Sequence, residues 1–164
     1  MRHLLAFSSA LLLLAGCAVG PLGGPHVDPL KDAVAVYSWE AQGQMVFRCA
    51  YDEQGFFWEF IRPEGRLIGD NGRQQAVLQK DFAVTARDGS AVSARIVDQG
   101  PQISARDLRE VVFAAESSGR GILSGVRWIA RKNPSGGMPL ASCTASQRGH
   151  YLKVPFRARY VFYR

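Results

Sequence analysis

Histidine and cysteine are scarce in this chain, with three of each in 164 residues, and only four of its 20 basic side chains are lysine. Each shortage narrows the chemistry on offer. A serine nucleophile needs a base within hydrogen-bond reach, and outside the first 32 residues the only imidazole is His150, beside Tyr151. Ser90 and Ser135 are the serines it could serve, and neither lies in a nucleophile-elbow motif. No second ligand stands at finger-like spacing from Cys49 or Cys143, so no metal site is expected. A strand followed by Gly-x-Gly-x-x-Gly is missing, which removes the usual dinucleotide cradle, and no cofactor is expected. Lys/Arg-rich runs interleaved with aromatics are missing too, so nucleic acid is not an expected partner.

Carboxylate chemistry has little more to work with. Two acids about 5–9.5 Å apart in a cleft would suit glycoside hydrolysis, but Glu59 and Glu64 are separated by Arg62 and Pro63. Glu59 reads as a strand-face residue paired with an arginine. An exported hydrolase working through His150 or Glu59 is therefore the second reading, behind a binding or structural module.

The chain has no apolar run long enough to span a bilayer as a helix. Its longest, Leu4 to Ala15, follows Arg2 and His3 and has the form of a secretory signal peptide. The run ends in Leu14-Ala15-Gly16-Cys17, which resembles the bacterial lipobox, where the cysteine is acylated and becomes the first mature residue. Residues 1–16 are read as the leader, 17–32 as a lipidated flexible stalk rich in glycine and proline, and 33–164 as a single domain. Each buried methylene of an acyl chain adds about 0.8 kcal/mol, so several chains on Cys17 would anchor the protein durably to a membrane. Ala18 stands where an aspartate would resemble an inner-membrane retention signal, which points to the outer membrane, facing the periplasm.

Loss of Arg2 with the leader lowers the formal charge of +6 by one. The remaining arginines are scattered singly, as on a solvated, slightly basic face. Two cysteines then remain, and in an oxidising compartment Cys49 and Cys143 are expected to pair. The loop they close is long enough for stabilisation of up to roughly 4.7 kcal/mol in the chain-entropy account.

Alternation supplies the fold class. Ala33–Trp39 reads as one strand, Gly43 as a turn, and Met45, Phe47, Cys49 and Tyr51 as the core face of a second strand. Asp52-Glu53-Gln54-Gly55 turns the chain into a hairpin partner, Phe56 to Ile61, which Pro63 is expected to stop. Phe82 to Ala86 and Val92 to Ile96 form a further pair about Asp88-Gly89, and Asp98–Ala105 reads as loop. Ser104 with Asp107 resembles a helix start, giving one turn of helix before a strand through Val111, Phe113 and Ala115. Gly125–Lys132 is a strand, Asn133–Pro139 a loop, and Phe156, Ala158, Tyr160 and Phe162 share one face of the last strand. About eight or nine strands with hardly any helix argue an antiparallel β-sandwich or a closed β-barrel.

The run Phe56, Phe57, Trp58 and Phe60 puts large rings on both faces of one strand. Core packing on two sides accounts for it; the sharper expectation is that Phe57 and Trp58 line an apolar pocket or carbohydrate platform with Arg48, Arg127 or Arg131 at its rim. An envelope glycan, a lipid or a protein would then be the partner.

Taken in order, Tyr37–Gly43, Phe47–Cys49, Trp58-Glu59-Phe60, Asp88-Gly89-Ser90, Asn133 with Gly136-Gly137, Pro139 to Cys143, and Val154-Pro155-Phe156 with Tyr160–Tyr163 form one pattern. It is similar to the family known as domain of unknown function 3455, found in exported bacterial and secreted fungal proteins, over about residues 34 to 164. The resemblance implies no agreed activity, and a malate dehydrogenase label carried by some members finds no support in these residues. The family's usual His-x-x-Gly-Pro-x-Trp run would fall on Leu78 to Val84, which here reads Leu-Gln-Lys-Asp-Phe-Ala-Val. If that run serves a family function, this chain has lost or changed it.

Overall fold

The computed structural model describes residues 28–164; the leader, Cys17, His26 and the first part of the stalk lie outside the described residues. Eight antiparallel strands close into one barrel, each paired with its neighbour in sequence and the last with the first. They are β1 (Ala35–Asp52), β2 (Gly55–Ile68), β3 (Gln74–Leu78), β4 (Val84–Ala86), β5 (Ala91–Gln99), β6 (Val111–Ser118), β7 (Trp128–Gly136) and β8 (Tyr151–Tyr163). Between sandwich and barrel, the structure is a barrel. The helix turn expected at Ser104 is a plain turn, and the helical residues among those described are two short 3-10 turns, Lys80–Phe82 and Ala145–Gln147.

Alternation works because one face of each strand looks into the barrel. Trp39, Ala41, Met45 and Phe47 of β1 and Phe156, Ala158, Tyr160 and Phe162 of β8 are buried in one cluster with Leu78, Val84, Phe113 and Ile129. The outer face carries charge: Arg62 and Lys153 both reach Glu64, at 2.6 and 2.9 Å. Tyr51, expected on the core face, is 58% exposed because β1 has by then run past the barrel wall to its hairpin turn.

Several boundaries differ from the expectation. Gly43 is not a turn: β1 runs straight through it, pairing Gly43 with Gly65 on one side and Phe156 on the other. A Cβ at Gly43 would stand 2.1 Å from the Glu64 carbonyl oxygen, so the residue is there to let two backbones approach. Pro63 does not stop β2, because it pairs with Met45 while the β3 ladder on its other side begins only at Gly65. β5 extends to Gln99 and β7 through Asn133 and Pro134 to Gly136, with a register shift absorbing both residues. β3 was not expected as a strand at all; Ala76 and Leu78 are nonetheless buried in the core.

One end of the barrel is closed by the segment between β6 and β7. Leu123 and Val126 are fully buried there. The Asp88 carboxylate accepts from Ser90 Oγ at 2.6 Å and from the Ile122 amide at 2.7 Å, while Ser90 Oγ accepts from the Leu123 amide at 3.2 Å. These donors, Ser90 first, hold the Asp88 pKa below its ordinary value of 3.8. A carboxyl depressed on folding contributes stability above its unfolded pKa and loses it as pH falls through the folded one. Acid unfolding of the wild type below pH 3.8 is therefore expected to be steeper than that of Asp88→Asn, measured by denaturant titration at several pH values. Parallel acid limbs for the two proteins would remove Asp88 from the closure.

Candidate functional site

The opposite end is built differently. β1, β2 and β8 outrun their neighbours: β3 pairs with β2 only from Gly65, and β7 with β8 only as far as Gly136 opposite Phe156. Beyond those points Gln44–Asp52, Gly55–Glu64 and Tyr151–Pro155 make an extension of three strands. Its inner face shows Phe47, Cys49 and Trp58, and what covers them is a loop, 137–150.

A disulfide holds that loop. Cys49 and Cys143 are bonded across a separation of 94 residues, with Cα atoms 5.8 Å apart. Cys143 Sγ also lies 3.2 Å from the Phe57 carbonyl oxygen, against β2. The near end of the loop is stitched to the segment before β6: Asp107 accepts from the Gly136 amide, and the Met138 amide donates to Arg106 at 3.1 Å. Beneath the loop is an open cleft of about 310 Å³ lined by Phe47, Trp58 and Met138–Ser142. Leu140 on its rim is 71% exposed.

Rings continue from the cleft into the barrel. Phe47 meets Phe60 at 5.7 Å, Phe60 stacks on Phe82 at 5.6 Å, and Phe82 meets Phe113 at 5.1 Å. Phe82 reaches this position from a tight turn in which Asp81 and Phe82 both have positive φ, 57° and 54°. Such a conformation costs a non-glycine residue roughly 1–2 kcal/mol. Asp81 stands where the resemblance described above places a glycine. Leu78 and Val84, where it places histidine and tryptophan, are partners across this hairpin, and both are buried. In this chain those inward positions are wholly apolar.

The structure divides the residues expected to form one pocket. Trp58 packs inward against the core and lines the cleft, whereas Phe57 faces out and is 37% exposed. Arg48 shares the outer face with Phe57 and donates to Glu59 at 2.7 Å, the pairing expected for that carboxylate; the Glu59 hydrogen bond holds the Arg48 pKa up. Arg127 is exposed at the closed end, beside Trp128 and the 28–33 segment. Arg131 is buried inside the barrel. His150 is exposed at the start of β8, its main chain bonded to Cys49 and Gln147. Ser90 lies in the closed-end network and Ser135 is exposed on β7, so neither serine is brought into a triad. No group of three or more metal-ligating side chains gathers among the described residues.

Sequence reasoning missed Met138 to Ser142 as cleft wall and Tyr160 as a polar group. The first could have been found from the disulfide, which must lay the loop before Cys143 against β1. The second had no signal, since Tyr160 shares the inward parity of Phe156 and Phe162.

A model of the family described as Protein of unknown function (DUF3455) matches residues 80–164. Tyr37–Gly43, Phe47–Cys49 and Trp58–Phe60 lie outside that match. No curated protein and no solved structure matches the chain.

Proposed function

The chain belongs to the family described as Protein of unknown function (DUF3455), and from that premise we propose that it is an exported, lipid-anchored envelope protein whose barrel is a binding module. In this reading residues 1–16 are removed and Cys17 carries the acyl chains. The barrel, 33–164, faces the periplasm from the outer membrane on a short stalk. Its apolar inside and charged outside suit a barrel standing in water, the reverse of one whose wall faces lipid.

The observation that carries the binding reading is the cleft of about 310 Å³ at the open end, where Phe47 and Trp58 are roofed by a disulfide-pinned loop. An open cleft that sets two aromatic rings beside the polar backbone of a loop is a place where a small ligand with an acyl or sugar group gains from burial. The hydrolase reading is weaker because Glu59 is engaged with Arg48 and His150 stands apart from both candidate serines.

Thermal unfolding against envelope glycans, lipids and small acids tests it, on the wild type and on Trp58→Ala. A ligand at 100 times its Kd stabilises the folded state by about 2.7 kcal/mol. One ligand class is expected to raise the wild-type Tm saturably, and Trp58→Ala to lose that shift while still melting cooperatively. A flat panel for the wild type would sink the binding reading and favour a structural role in an envelope assembly.

A further inference from the structure

A row of polar side chains crosses the outer wall of the barrel, away from both of its ends. Gln42 on β1 stands opposite Arg66 of β2 on one side and Arg157 of β8 on the other, and Arg157 in turn stands opposite Ser135 of β7. Their neighbours along the strands, Ala41, Leu67, Phe156 and Ala158, are buried in the core, so alternation turns this row outwards, and both arginines are exposed. Adjacent strands lie about 4.8 Å apart, which sets the backbones of Arg66 and Arg157 roughly 10 Å from each other.

Two open clefts meet over this row. One, of about 370 Å³, holds Arg66; the other, of about 390 Å³, holds Arg157 and Ser135; Gln42, Gly43 and Pro155 line both. They form one groove across the wall with a guanidinium in each half. The other cations on the outside of β1, β2, β7 and β8 all have a carboxylate: Arg48 has Glu59, Arg62 and Lys153 share Glu64, Lys132 has Glu110, and Arg159 has Asp70 at 3.8 Å. Arg66 and Arg157 form neither an ion pair nor a side-chain hydrogen bond among the described residues. Glu64, the acid that lines the groove, is already held by its two cations. The two positive charges left without a counter-charge on this wall are thus the two that line the groove.

We propose that this groove binds a carboxylate-bearing oligosaccharide, with one carboxylate on Arg66 and another on Arg157. The planar fork of a guanidinium suits the two oxygens of a carboxylate, and two forks set apart across the strands suit an elongated ligand with repeated charges. Between them Gln42, Gln44 and Ser135 offer amide and hydroxyl groups, which match a body rich in hydroxyls. An extended peptide fits less well, because β1 is paired on both sides here and has no free edge for another strand to join. The inference goes beyond the mouth cleft, and its test does not depend on Trp58.

The test is thermal unfolding of the full chain titrated with trigalacturonate, galacturonate, maltotriose and triglutamate at constant ionic strength, for wild type, Arg66→Gln, Arg157→Gln and Arg48→Gln. Trigalacturonate is expected to raise the wild-type Tm saturably, and at lower concentration than galacturonate, since one bound carboxylate brings the next to its arginine. Maltotriose, which has no charge, is expected to leave the Tm where it is. Arg66→Gln and Arg157→Gln are each expected to weaken the apparent affinity about tenfold, the worth of one hydrogen bond to a charged group. Without ligand both should melt with the wild type, because neither side chain has a partner to lose. Arg48→Gln makes the same change of charge outside the groove and should keep the wild-type response. The proposal is overturned if trigalacturonate leaves the Tm unchanged, or if galacturonate or maltotriose acts as well as it does. It is also overturned if Arg48→Gln loses as much affinity as the groove variants, which would reduce the effect to net charge, or if triglutamate binds more tightly, which would make the ligand an acidic peptide.

Discussion

Replacing Cys49 and Cys143 together by alanine is expected to lower stability by about 2–5 kcal/mol, the usual cost of removing a native disulfide from a small domain. Two effects combine here. The bridge closes a loop spanning 94 residues of separation, so its loss releases much entropy to the unfolded chain. It also frees segment 137–150 from the inner face of the extension, where Phe47 and Trp58 would gain access to water. Denaturant titration of wild type and double variant reads the difference, with reduced wild type expected to follow the variant. A loss below about 1 kcal/mol would mean that the stitches at Asp107 and Arg106 hold the loop without the bridge.

Gly43→Ala is expected to cost about 4 kcal/mol or more, at the extreme of single substitutions. The added carbon would meet the Glu64 carbonyl oxygen at 2.1 Å and the Gly65 Cα at 2.5 Å, and both are backbone atoms of β2 that cannot rotate aside. Relief would require β1 and β2 to separate where β1 is also held by β8. Gly72→Ala is the control. Gly72 has φ of 71° and open space around it, so its cost is only that of a left-handed alanine, roughly 1–2 kcal/mol. Equal costs at the two positions, by urea titration, would contradict the close approach.

The contrast between these glycines explains what the sequence could and could not carry. Where a residue's role is to alternate, it was legible: the Asp52–Gly55 hairpin, the buried face of β8 and the all-β class follow from local pattern, and the disulfide followed from cysteine count and compartment. Gly43 misled because composition does not separate a glycine that turns the chain from one that admits a second backbone; that depends on β2, which approaches from some twenty residues away. Pro63 misled in the same way. It sits just beyond the end of the β3 ladder, at Gly65, so one side of the strand has no bond to lose there. Which side of a strand is vacant is a property of the sheet, not of the strand.

The candidate site was legible only in pieces. Trp58 and the paired Arg48 and Glu59 fell where alternation put them, on opposite faces of the extension. Arg131 was expected at a rim because arginine usually seeks water, yet it has the same parity as Ile129, which is buried in the core. The apolar neighbour two residues away was the better guide to where the side chain lies. No local signal tells that the guanidinium would find no carboxylate there, since that depends on four strands at once.

Export underlies the whole functional reading: without it the envelope ligands lose their meaning and the disulfide its oxidising compartment. The most direct test is the intact mass, with the N-terminal peptide, of the protein made by its own kind of cell. The account predicts a chain beginning at Cys17 and carrying acyl chains on that residue. A chain that retains Met1, or that begins elsewhere with Cys17 unmodified or absent, would contradict it.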